Sequence, residues 1–308
     1  MSHSQAGGGG FRTVGRPIVA TFLALLAALA FALGTVLQQK GTLETSAGEG
    51  DPRFLAQILR RPVWLAGGGC QAAGWILQAA ALDRGPLIVV QSLTTMSLVL
   101  ALPLGARITN QQITARVWTG AFAMVVGIVL FLSAGSPAGG TSSPSAAAWW
   151  STGLVCALAM ATLGLIGRRH RGATRALLLG AAAGVGYALQ ASVTKEFVTL
   201  VGHGPSAILS SWTIYVLIAS AITGFIFQQS ALKTGVLAPA MASSNAVTLL
   251  ASVVIGITTF GETLSGAGSR LGPATFGLLV TVVGIGLLAA AQPPDKAVTE
   301  VVAGQPQR

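Results

Sequence analysis

The sequence predicts an all-α integral membrane protein of about nine transmembrane helices, arranged as two inverted four-helix repeats joined by a linking helix. Three observations carry this: the scarcity of charge, the recurrence of long apolar tracts, and a set of paired segments that return in the same order. Of 308 residues, 52% are apolar and 8% charged, and the mean hydropathy is +0.72. A soluble domain carries roughly 25% charged residues because its surface must be solvated; the outer face of this chain is built for lipid instead. Mostly apolar tracts of roughly 20 residues recur, the length that crosses ~30 Å of hydrocarbon as a helix. The net charge of +10 does not mark a nucleic-acid partner, because the basic residues sit in short loops between apolar tracts, as the positive-inside pattern requires. Cys70 and Cys156 both lie inside apolar tracts and read as small buried hydrophobes, not as a disulfide or metal site.

In chain order, residues 1–16, with GGGG at 7–10, and residues 292–308 are polar tails expected to be disordered. The predicted spans are 18–37, 63–82, 87–106, 117–133, 149–166, 175–193, 207–227, 236–257 and 274–291. The first follows Arg12 and Arg16 and contains Ala28-Leu29-Ala30, which mimics a signal-peptidase site. Its apolar run continues to Leu37, beyond the roughly 7–15 residues of a signal-peptide core, and it is read as a retained helix. Residues 17–134 form the first repeat, 135–173 a linker with the fifth helix, and 174–291 the second repeat. Segment 134–148 (AGSPAGGTSSPSAAA) carries no charge and reads as a flexible connection.

The repeat is legible in four pairs of segments. GWILQAAALDRG (74–85) returns as GFIFQQSALKTG (224–235), pairing Gly74 with Gly224 and Gln78 with Gln228. FALGTVLQQK (31–40) resembles YALQASVTKE (187–196), and LGARIT (104–109) parallels FGETLS (260–265). GAFAMVVGIVL (120–130) parallels GLLVTVVGIGL (277–287), pairing Gly120 with Gly277 and Gly127 with Gly284. Four spans return the chain to its starting side and the fifth carries it across, so the second copy starts on the opposite face. Inverted repeats of this kind are the architecture of secondary transporters, whose halves rock about a site near the midplane. Of the 18 Lys and Arg residues, Arg12, Arg16, Arg84, Lys195 and Arg270 fall on the N-terminal side and the rest on the other. That bias places the N-terminus outside and the C-terminus in the cytoplasm of a plasma (inner) membrane, multi-pass.

These segments resemble the drug/metabolite transporter superfamily, and within it the NIPA-type magnesium transporters and EamA-type permeases, over roughly residues 18–291. LQQKG (37–41) resembles the lysine-glycine end of the first NIPA helix, and QQSALKTGVLAPAMASSNAVTLLASVVIGITTFGE (228–262) resembles the family's stretch of Gln, Asn-Lys-Ala-Leu, a proline and a terminal Gly/Lys-Glu. Nine spans with an outside N-terminus are also NIPA-like. The chain departs from the pattern at Ala106 and Arg107, where the first copy of the family ends in an acid, so that only Glu262 keeps one. It departs again at QSLTTMS (91–97), which replaces a proline-containing segment. The resemblance implies a transporter moving a small polar metabolite or a cation by alternating access, with magnesium as the named alternative.

No Asp, Glu, His or Lys falls in the middle of a predicted span, so a site must be built from neutral polar groups, backbone carbonyls or charges near helix ends. Gln78 and Gln228 are a candidate polar wall because they are pseudo-symmetric; the alternative is a packing face with amides bonded across helices. Gln91, Thr94 and Thr95 share one helical face, and in the matching span Pro239 removes a backbone donor ahead of Ser243, Ser244 and Asn245. The plainer alternative for both spans is a kinked helix whose hydroxyls bond their own preceding turn. Lys195 and Glu196 end the sixth span and Glu262 the eighth, where they would form a gate or a vestibule, with Glu262 partly exposed at the outer mouth. No nucleophile elbow, phosphate loop or cofactor motif is present, and an enzyme is not expected. The expected partners are the lipid bilayer and a small-molecule or ion substrate, with a homodimer left open. A non-transporting membrane scaffold is the alternative from another class; it would need no polar faces on the third and eighth spans.

Overall fold

The computed structural model describes residues 10–43, 60–108, 114–141, 143–232, 234, 237–264 and 271–290. Its helices are α1 (Gly10–Leu43), α2 (Pro62–Leu82), α3 (Leu87–Thr95), α4 (Ser97–Ile108), α5 (Ala115–Gly135), α6 (Ala146–Arg169), α7 (Gly172–Leu200), α8 (Pro205–Ser210), α9 (Trp212–Leu232), α10 (Leu237–Thr258) and α11 (Leu271–Ala290). Two-residue strands β1 (Ala138–Gly139) and β2 (Glu262–Thr263) pair antiparallel. Among the described residues, eight segments are long and apolar enough to cross a membrane. They match the predicted spans except 63–82. That span is the helix α2, but Gln71, Gln78 and its four glycines keep its hydropathy below that of the eight. Large apolar side chains face outward where lipid would lie, with Ile76 and Phe122 each 72% and Trp150 80% exposed.

Several boundaries differ from expectation. Helix α1 begins at Gly10, inside the expected tail 1–16, because extending a nucleated helix costs little; residues 1–9 and 291–308 lie outside the described residues. Helix α7 runs to Leu200, so Lys195 and Glu196 lie within a helix and not beyond its end. The linker 134–148 is pinned through β1: Ala138 pairs with Thr263 and Gly139 with Glu262, and the Thr141 N–H donates to Phe260 O at 2.8 Å. Gly140 makes this possible, with φ +90° and no room for a Cβ, which would meet Glu262 Cγ at 2.8 Å.

By internal contacts the chain falls into two compact units, Met1–Gln112 and Ile113–Arg308. In the first, α1 and α2 pack antiparallel at a glycine crossing. A Cβ on Gly34 would meet Gly67 O at 2.9 Å, one on Gly67 would meet Gly34 O at 2.8 Å, and the Phe31 ring fills the space beside Gly74. Such small-residue faces let backbones approach closely, which stands in for the hydrophobic drive that lipid cannot supply.

The second unit contains α5 to α11. Helix α7 is its centre, packed by α6, α9 and α10, and most of its inner face is alanine and glycine. Gly180 sits against Ala240 and Gly184 against Ser244, so α7 and α10 run parallel. Gly186 abuts Gly224, and the Tyr187 ring fills the space beside Gly224. Helices α5 and α11 run antiparallel with interlocked glycines: Gly120 lies against Gly284 O, and Gly277 against Gly127 O.

Candidate functional site

In the first unit the helical ladder of the third span breaks at Met96, whose N–H turns back to Leu93 O and Thr94 O. No glycine or proline causes the break. The hydroxyls of Thr94 and Thr95 both donate to the Gln91 carbonyl, at 3.1 and 2.7 Å, and Ser92 donates to Ile88 O at 2.7 Å. Hydroxyls that bond their own preceding turn compete with the ladder and bend helices. Gln91, Thr94 and Thr95 are all buried, yet Gln91 Nε2 has no hydrogen-bond partner. Gln78 is half-buried on α2.

In the second unit the expected polar wall divides. Pro239 lies in the first turn of α10, where backbone N–H groups have no intrahelical acceptor in any case, so the proline frees no carbonyl in the span. Ser243 donates to Ala240 O, Asn245 to Met241 O and Thr248 to Ser244 O. Ser243 and Ser244 face the glycine seam with α7, a helix–helix contact, and Thr248 also bonds Gly184 O across it at 3.3 Å. Gln228 differs: its Nε2 donates to the Met241 sulfur at 3.3 Å, while its buried Oε1 has no partner. Unpartnered amide atoms are costly in a dry interior. Of the expected pathway residues, Gln91 and Gln228 each keep a buried amide atom without a partner.

The three predicted gate residues gather at the C-terminal end of α7. Lys195 Nζ lies 2.6 Å from Glu262 Oε1, with the two side chains 8% and 0% exposed, and 4.5 Å from the centroid of Phe260. Phe260 packs edge-on against Trp149, which packs in turn on Trp212. The Thr152 and Thr259 hydroxyls bond each other at 2.6 Å, tying α6 to the end of α10. Trp149 neighbours the Glu196 carboxylate without closing a hydrogen bond, and both Trp149 Nε1 and Glu196 Oε2 are buried and unpartnered. The expectation of a partly exposed Glu262 at a mouth is thus overturned: β1 covers it and Lys195 neutralises it. Among the described residues no group of three or more His, Cys, Asp or Glu could hold a metal ion.

Apolar helices with lipid-facing side chains, crossing at glycines and enclosing a few neutralised polar groups, define a polytopic α-helical membrane protein. The chain is 30% identical over 250 residues to an uncharacterized protein of Corynebacterium glutamicum, a match covering 80% of this chain and 86% of that relative. It belongs to the same family as that protein. No family model matches the chain. No solved structure matches it with significance.

Proposed function

We propose that the protein is a transporter of the drug/metabolite type, moving a small polar metabolite by alternating access between two inverted four-helix repeats. The observation that carries this reading is the α5–α11 crossing. The sequence repeat equates Gly120 with Gly277 and Gly127 with Gly284. Applied to the contact between Gly120 and Gly284, it returns the contact between Gly277 and Gly127. A two-fold that exchanges antiparallel helices lies perpendicular to them, in the plane of the membrane, as inverted repeats require. The ring-on-glycine contacts of Phe31 with Gly74 and of Tyr187 with Gly224, equivalent under the same repeat, support it independently. Gln91 and Gln228 are the groups we assign to substrate, with Lys195, Glu196 and Glu262 closing one end of the second repeat.

Magnesium is the second reading, through the NIPA resemblance; the pairing of Glu262 with Lys195 favours the metabolite. In proteoliposomes we expect saturable uptake of a polar metabolite from a mixed pool, with Mg²⁺ flux at background. Saturable Mg²⁺ flux would replace the first reading with the second, and no flux of either would leave a scaffold. Reporter fusions should show a cytoplasmic C-terminus and an external N-terminus; the same side for both would break the inverted arrangement.

A variant prediction follows from Gln228. Replacing it by Met keeps the volume and removes the unpartnered oxygen, so stability should be unchanged or higher by about 1 kcal/mol. Uptake should nevertheless fall at least tenfold if the amide contacts substrate. Full uptake in Gln228→Met would remove Gln228 from the pathway.

A further inference from the structure

At the opposite end of α7 from Lys195, two adjoining cavities open among α6, α7 and α9. The first, of about 260 Å³, is lined by Arg171, Gly172, Arg175, Ser230 and Thr234. The second, of about 330 Å³, shares Arg175 and Ser230 and adds Arg168 on its polar side. Its remaining wall includes Gly164, Leu179, Ile226 and Phe227. Leu179 lies one turn beyond Arg175, and Thr223, also on this wall, seven residues before Ser230. The second cavity therefore runs ~10 Å further along the helices than the first, from the helix ends towards the hydrocarbon. The three arginines are exposed and form no ion pair with a described residue. Ser230 and Thr234 already donate to carbonyls of α9, Ile226 O and Ala231 O, so the free donors here are the guanidinium groups.

We propose that these cavities bind an anionic phospholipid, its phosphate between Arg171 and Arg175 and one acyl chain in the groove beside Phe227. Unneutralised arginines between transmembrane helices at the membrane boundary are the recognised setting for acidic lipid headgroups, and guanidinium groups pair phosphate bidentately. Topology alone accounts for positive charge in this loop, but not for a basic cavity that continues into an apolar groove. Gly164 keeps the groove open: a Cβ there would meet the Phe227 ring at 2.8 Å, and a larger side chain would drive the ring into the cavity. The proposal is independent of what the protein transports.

The test is native mass spectrometry of the delipidated full-length protein in detergent, titrated with dioleoyl phosphatidylglycerol, dioleoyl phosphatidylcholine or inorganic phosphate. Phosphatidylglycerol should bind at least about tenfold more tightly than phosphatidylcholine. Arg171→Gln and Arg175→Gln should each weaken it about fivefold, the factor expected per basic side chain at an anionic lipid surface. Arg169→Gln, two residues before Arg171 and outside both linings, should leave it unchanged. Gly164→Leu should weaken both lipids by blocking the chain groove while the arginines remain. Equal affinity for the two lipids, or an undiminished preference in the doubly substituted Arg171→Gln/Arg175→Gln protein, would overturn the proposal. Displacement of phosphatidylglycerol by millimolar inorganic phosphate would also overturn it, leaving a free-anion site.

Discussion

Glu262→Gln is expected to lower the melting temperature of the purified protein by roughly 10 °C, because it removes ~3–5 kcal/mol of stabilisation. The loss is not the worth of the Lys195–Glu262 attraction. Both side chains are sealed from solvent, so the substitution leaves the Lys195 ammonium buried without a counter-charge, against a neutral amide and the Phe260 ring. The double variant Lys195→Met/Glu262→Met should recover most of the loss, since exchanging a whole buried pair for apolar groups is often close to neutral. Salt screens exposed charges, not sealed ones, so the Glu262→Gln deficit should be the same at low and high ionic strength. A deficit below about 1 kcal/mol, or one that vanishes in salt, would mean that the pair is solvated. Uptake measured on the double variant separates the remaining roles: lost transport in a protein of restored stability would make the pair part of the moving machinery.

At the α5–α11 crossing, Gly284→Ala should destabilise by about 2–3 kcal/mol, through overpacking against atoms that cannot yield. Its Cβ would lie 2.5 Å from the Met124 backbone nitrogen and 2.9 Å from Gly120 O. Gly127→Ala meets Gly277 O at 2.7 Å and should match it, as the proposed pseudo-two-fold requires. Gly286, two residues along the same helix, has nothing within 4 Å of its Cβ position. Gly286→Ala should therefore be neutral or stabilising by about 0.5–1 kcal/mol, the usual gain in a helix interior. Thermal unfolding of the three variants checks this; equal effects at Gly284 and Gly286 would mean that α5 and α11 do not interlock.

Much of the architecture was readable from residue order. A span is a local property: enough consecutive apolar residues form a helix in lipid whatever else the chain does, because every backbone group must be bonded within the segment. Hence spans such as 149–166 and 175–193 lie inside α6 and α7. The glycines paired by the sequence echo are the ones at which α5 and α11 meet. Gln91 and Gln228 stood out as amides in apolar segments, and they retain unpartnered atoms. The break at Met96 was less visible, since no proline or glycine marks it; the hydroxyls of Ser92, Thr94 and Thr95 were its signal.

Burial of polar groups could not be read in this way, because it depends on residues far along the chain. Lys195 and Glu196 looked like gate charges at a helix end, and Glu262 like a partly exposed acid at a mouth. Their burial depends on Phe260, Trp149 and the β1–β2 ribbon arriving from three other segments. The bonds involved join Lys195 to Glu262 across 67 residues and Thr152 to Thr259 across 107. The linker 134–148 looked flexible because its own residues supply no partners; β2 supplies them. Conversely, Ser243 and Ser244 looked like a polar wall until Gly180 and Gly184 of α7 were seen to pack against them. Hydropathy and spacing act along the chain and determine which segments enter the membrane, whereas desolvation acts across it, so only the folded packing decides which charge is paired and which amide is left open.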